Sequence, residues 1–254
     1  MTEMPRTERK KSATGIYHVM LRGINHQQLF EDAEDYLRFL SILRECKEVS
    51  AYKLYAYCLM GNHVHLLMQE GKEPLDLIFK RIGGRFVYWY NLKYQRVGHL
   101  FQDRYKSEPV ETDAYFLTAL RYIMQNPMKA GLEEKPGTYG WSSYAAYAGK
   151  PDGLTDSEMA IEMLGGQEAL LAYLAERNED RLLDITERKQ GLTDEQAKAI
   201  MKRVSGCESA SAFQGLEAKR QKEVLSKMLK KGVSVRQAAR MTGVPKTTVA
   251  RCIG

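Results

Sequence analysis

The chain has 254 residues, 44% hydrophobic and 28% charged, with a net charge of +6. That length supports a sizeable core and two domains, while no run approaches the ~20 apolar residues of a membrane span. The polar, basic start (MTEMPRTERKKSA) lacks the apolar centre of a signal peptide, and four scattered cysteines without a CxxC pair argue against a zinc ribbon or disulfide framework. A reducing, cytoplasmic setting is expected.

Ile16–Arg22 reads as a strand. Residues 33–49 read as an amphipathic helix, with Tyr36, Phe39, Leu40 and Leu43 at helical spacing. Residues 52–60 and 63–68 read as strands joined by a Gly61-Asn62 turn. Residues 75–94 predict a long helix rich in aromatics, and 100–110 a further strand or hairpin segment. Thr112 suits an N-cap with Asp113 in the first turn, and Pro127 should end or bend that helix near Asn126. Hairpins mixed with helices and few crossovers predict an α+β domain with a mainly antiparallel sheet over residues 1–150, closing at the turn-rich stretch 149–153. Residues 151–254 read as helical, with Thr155 and Thr193 as candidate N-caps and Gly165-Gly166, Gly191 and Gly232 as breaks. Residues 151–218 are acidic, whereas 219–254 hold ten basic residues against one acid, Glu223. So abrupt a shift suggests separate modules.

The sharpest local feature is Gly61-Asn62-His63-Val64-His65. On a strand, His63 and His65 share one face and can chelate one metal ion through their nitrogens. Two ligands do not make a stable site, so a third must come from elsewhere. Tyr122 and Asn126 are four apart on one helix face. Asn126 offers a carboxamide oxygen as that ligand, about 6 Å from Tyr122 along the axis. A phenol beside a metal can attack a phosphate that the metal polarises. Tyr115 lies eleven residues before Asn126, about 16 Å away, and is the poorer nucleophile. His18, His26 and His99 have no partner at ligand spacing and read as ordinary.

The strings YHVMLRG at 17–23, GNHVH at 61–65, RYIMQNPMKAG at 121–131 and WSSY at 141–144 occur in that order. Together they resemble the REP-associated tyrosine transposases, relatives of the single-tyrosine HUH transposases, over roughly residues 12–149. The resemblance implies a ferredoxin-like fold with the HxH pair on a central strand. It implies cleavage and rejoining of single-stranded DNA at hairpin-forming repeats through a 5′-phosphotyrosine, assisted by Mg²⁺ or Mn²⁺. His63 and His65 match the metal ligands, Tyr122 the nucleophile and Asn126 the third ligand. Arg22 and Arg104 match family positions near DNA. Monomer and homodimer both fit, since the tyrosine could act in cis or be exchanged.

Residues 80–96 interleave Lys80, Arg81, Arg85, Lys93 and Arg96 with Tyr88, Trp89, Tyr90 and Tyr94. That pattern suits either a single-strand platform or an aromatic core face, and Arg85 is a candidate DNA contact. WSSY is expected to pack the end of the domain. Residues 232–252 look like a helix-turn-helix: Ser234 caps a first helix, Gly243 makes the turn, and Pro245 opens a second. Lys246, Thr247, Thr248 and Arg251 would face duplex DNA. Three other readings compete with the transposase, of which a structural or interaction protein is disfavoured by the basic C-terminus and the density of motifs; the other two are sharper. One is a DNA-binding regulator without catalysis. The other is a metallohydrolase using a bound water, which should survive Tyr122→Phe.

Overall fold

The computed structural model describes residues 9–178, 180, 182, 194–207 and 209–253. The chain divides into two compact units, Met1–Asp184 and Ile185–Gly254. In the first, β1 (Ile16–Arg22), α1 (Ala33–Ser50), β2 (Lys53–Met60), β3 (His63–Gln69), α2 (Leu75–Lys93) and β4 (Lys106–Pro109) follow in order. The strands form one antiparallel sheet in the order β2-β3-β1-β4, the ferredoxin-like arrangement.

Strand parity explains how the sheet divides its residues. Tyr17, Val19 and Leu21 of β1 and Val64, Leu66 and Met68 of β3 face α1 and α2, where Phe39, Ile42, Ile78, Ile82 and Phe86 complete one core. The other face packs on α3 (Asp113–Met124), whose Phe116, Ala119, Leu120 and Ile123 join Ile16, Cys58, Met60 and Leu67. In β2 the alternation breaks, because Tyr55 and Ala56 both belong to the α3-side core. A register shift between Leu54 and Ala56 accounts for this.

Of the helix signals in the first unit, Thr112 and Pro127 act as expected, and the structure adds a cap at Asp32. Asp32 caps α1 by a reciprocal box with Asp35. Thr112 caps α3 by accepting from the Tyr115 amide at 3.2 Å. α3 stops at Met124, and a short α4 (Asn126–Lys129) restarts with Pro127 inside its first turn. Residues 100–110 are strand only at their end. Earlier, Phe101 makes an isolated bridge to Gly23 and the Gln102 amide donates to the Arg22 carbonyl at 2.9 Å, and a bend at 102–104 interrupts the edge.

The first unit then continues through α5 (Tyr144–Tyr147), α6 (Glu158–Met163) and α7 (Gln167–Ala175). Tyr147, Ala160, Leu170 and Leu174 are buried in the α3-side core. Contacts therefore divide the chain after Asp184 rather than near residue 150, because α6 and α7 have no other core to join. Thr155 caps no helix, as its hydroxyl is held by Asp152 and α6 begins at Glu158. Gly191 and Thr193 lie outside the described residues.

The second unit is helical: α8 (Asp194–Ser205), α9 (Ala210–Gln214), α10 (Ala218–Lys230), α11 (Val235–Thr242) and α12 (Lys246–Ala250). Met201, Phe213, Val224, Met228, Ala238 and Val249 form its core. Ser234 and Gln237 make a capping box at α11, and Gly243 ends that helix in the left-handed region at φ 70°. Pro245 precedes α12 as its cap rather than filling its first position.

Candidate active site

β3 is a central strand, and its two histidines lie on the α3 face. Their rings are nearly perpendicular, with centroids 5.1 Å apart. An ion bound about 2.1 Å from one nitrogen of each ring would stand roughly 3.2 Å from each centroid, which at bond angles of about 90–110° puts the centroids about 4.5–5.2 Å apart. The pair fits a shared metal ion. Among the described residues no three His, Cys, Asp or Glu side chains come together for a metal.

Each histidine has a partner at Nδ1. His63 Nδ1 lies 2.7 Å from the Asn62 carboxamide oxygen, to which only a protonated nitrogen can donate, so its lone pair sits on Nε2. His65 Nδ1 lies 3.0 Å from Nε2 of His18. Burial holds His65 well below the usual imidazole range, and the neighbouring His18 and His63 add to this. Burial likewise brings His18 down to about 3. Both rings are neutral at neutral pH, the form a metal requires. The expectation that His18 is ordinary is corrected here. β1 pairs with β3 so that Met20 opposes His65 and His18 opposes Leu67, which sets His18 diagonally beside His65 on the same face. Strand parity could have placed His18 and Arg22 on one face of β1, but not the register that brings them to β3.

α3 brings Tyr122 to the same place. Its ring stands edge-on to His65 and His18, at centroid distances of 5.7 and 5.8 Å, and the residue is only 3% exposed. The Lys129 ammonium lies 4.4 Å from the centroid of that ring and donates to the carbonyl of Asp180. Asn126 is nearly buried, and its amide nitrogen donates to the Tyr122 carbonyl at 3.2 Å. That leaves the carboxamide oxygen as the atom suited to a metal. The adjacent Gln125 is occupied differently, donating to the carbonyls of Leu174 and Glu176 at 2.7 and 2.8 Å. Tyr115 is committed too: its hydroxyl donates to Glu108 at 2.6 Å, and burial with that carboxylate raises its pKa.

Arg22 opposes His63 in the β1–β3 register and contacts the ring of His26. Arg104 is exposed and lines an open groove of about 1080 Å³ with Arg9, His99 and Lys106. Arg85 lies on α2, across the sheet from the histidines, and pairs with Glu45 at 2.8 Å. Two other α2 cations are similarly engaged, Arg81 with Glu73 and Lys93 with Asp32, Glu34 and Asp35. Tyr90 is core, whereas Tyr88 is exposed. In the second unit, Lys246, Thr247, Thr248 and Arg251 are exposed while Val249 and Cys252 are buried.

Residues 11–126 match the family model of IS200-like transposases. In fold, the chain is similar to a REP-associated tyrosine transposase solved bound to a REP hairpin. The TM-score is 0.51 at 14% identity, covering 71% of this chain and all of that one. A candidate transposase from Deinococcus radiodurans R1 aligns at TM-score 0.33 and 17% identity, over 52% of this chain and 94% of that one. No protein of curated function matches in sequence. No helix among the described residues is long and apolar enough to cross a membrane. The segment 11–126, which contains the whole sheet and the His63–His65 pair, is thus similar to the IS200-like transposases.

Proposed function

We propose that this chain cleaves and rejoins single-stranded DNA at repeat hairpins, with Tyr122 as nucleophile. The observation that carries this is the placement of the Tyr122 ring against His65, beside the only pair of histidines at chelating spacing in the sequence. His63, His65 and Asn126 would hold a divalent ion, Mg²⁺ or Mn²⁺. When bound, such an ion polarises the scissile phosphate and offsets charge in the transition state.

The Tyr122 oxygen forms a bond to phosphorus as the P–O3′ bond breaks. The phenol proton passes to solvent, and the departing 3′ oxygen takes one up as a free hydroxyl. The downstream strand remains on Tyr122 through its 5′ phosphate. Attack by a 3′ hydroxyl reverses these changes, so rejoining needs no nucleotide cofactor. Arg22, opposite His63, is suited to neutralising phosphate charge, and Arg104 with its groove to guiding the strand. Arg85 could serve only a strand crossing the α2 face, at the cost of its Glu45 pair. Because Tyr122 is 3% exposed, attack requires its ring to swing out or the α3–α4 junction to shift.

That burial also favours a second reading, hydrolysis by a water on the same ion. The helix-turn-helix reading of residues 232–252 is supported by the α11–Gly243–α12 geometry and by the outward Lys246, Thr247, Thr248 and Arg251. It would tether the enzyme to flanking duplex.

The test incubates full-length protein with 3′-labelled single-stranded repeat-hairpin DNA and Mn²⁺. A label attached to wild type and Tyr115→Phe, and absent from Tyr122→Phe, is expected. Cleavage that persists in Tyr122→Phe without an adduct would establish the water route. Loss only in Tyr115→Phe would move the nucleophile. A protein that binds this DNA and never cuts it would be a regulator.

A further inference from the structure

Three histidines lie on the α3 face of the sheet, and the proposed function uses two. The third, His18, is fully buried on the central strand β1. Burying an imidazole costs free energy that an apolar side chain would not incur. Its Nδ1 is buried without a hydrogen-bond partner among the described residues. Among the described residues its one polar contact is the 3.0 Å approach of Nε2 to Nδ1 of His65.

Two neutral imidazoles at that distance share one proton, and two arrangements exist. If His18 donates from Nε2, His65 carries its own proton on Nε2 and has no lone pair left for an ion. If His65 donates from Nδ1, its Nε2 lone pair is available and the proton of His18 sits on Nδ1. We propose that His18 is a positioning residue that accepts the Nδ1–H of His65 and so presents the Nε2 lone pair of His65 to the divalent ion. Asn62 stands in the same relation to His63, at 2.7 Å. Both ligands are then oriented by acceptors on the sheet itself. This inference rests on the metal reading given under the proposed function.

The test measures Mn²⁺ affinity and thermal stability of full-length wild type, His63→Ala, His18→Leu and His18→Gln. His18→Leu should weaken Mn²⁺ binding about 10–100-fold. His18→Gln, which keeps an acceptor oxygen, should recover most of that loss even if its melting temperature matches His18→Leu. Unchanged affinity in His18→Leu, or equal loss in both variants, overturns the inference. If wild type binds no Mn²⁺, or His63→Ala binds it as well as wild type, the metal reading fails and takes the inference with it. Should the variants not fold, long-range ¹H–¹⁵N spectra of ¹⁵N-histidine-labelled wild type with Zn²⁺ decide it. A proton on Nδ1 of His65 is expected, and a proton on Nε2 overturns the proposal.

Discussion

At the scale of single residues, neighbours in sequence have opposite tasks. Gln125 and Asn126 are both buried amides, yet one is spent on carbonyls at the C-terminal end of α7 and the other sits beside Tyr122. Gln125→Ala strips those carbonyls of a donor and should cost about 1–3 kcal/mol of stability, leaving Mn²⁺ affinity unchanged. Asn126→Ala should do the reverse, weakening Mn²⁺ binding more than it lowers the melting temperature. Titrations and melts on both variants check this, and a swapped pattern would assign the ligand to Gln125. Tyrosines separate in the same way. The sequence places Tyr115 and Tyr122 on one helix, but only Tyr122 touches His65, while Tyr115 is held by Glu108.

Between elements, the layer opposite the site is fastened by charge. Glu73 accepts from Arg81 at 2.6 and 2.8 Å and from Ser50 at 2.5 Å, tying the start of α2 to the end of α1. Those bonds, the Arg81 pair first, lower its pKa from 4.5 to about 2. A depressed folded-state pKa means that the ionised group stabilises the fold above the unfolded value and loses that contribution as pH falls from about 4.5 toward 2. Glu73→Gln should flatten this part of the stability–pH curve in urea melts, and an unchanged slope would contradict it. Gly23 has a different role at the end of β1. A methyl there would stand 2.1 Å from the backbone carbonyl oxygen of Gln27, which cannot rotate away like a side chain. Gly23→Ala should therefore cost about 1–3 kcal/mol through overpacking, seen as a lower melting temperature.

For the whole molecule, the unit boundary is a packing statement. Ala160, Leu170 and Leu174 are buried against α3 and the sheet, so a fragment 1–150 would expose apolar surface that 1–184 covers. The longer fragment should unfold cooperatively and near the wild-type transition of this unit, whereas the shorter should melt lower or aggregate. Circular dichroism melts of the two compare them directly, and equal stability would restore the boundary near 150.

Strands β1 to β3 and helices α1 to α3, the HxH pair, the caps Thr112 and Ser234 and the break at Pro127 were legible in the sequence, because each rests on local backbone chemistry or on a period of two or 3.6. The closeness of Asn126 to Tyr122 was legible too, although α3 ends between them and Asn126 opens α4. The sequence could not place His18 beside His65, turn Gln125 away from the site, or fold α6 and α7 back onto the first core. Each of these depends on strand register or on which faces meet, and register is decided by packing between segments far apart in the chain rather than by any residue's own preference.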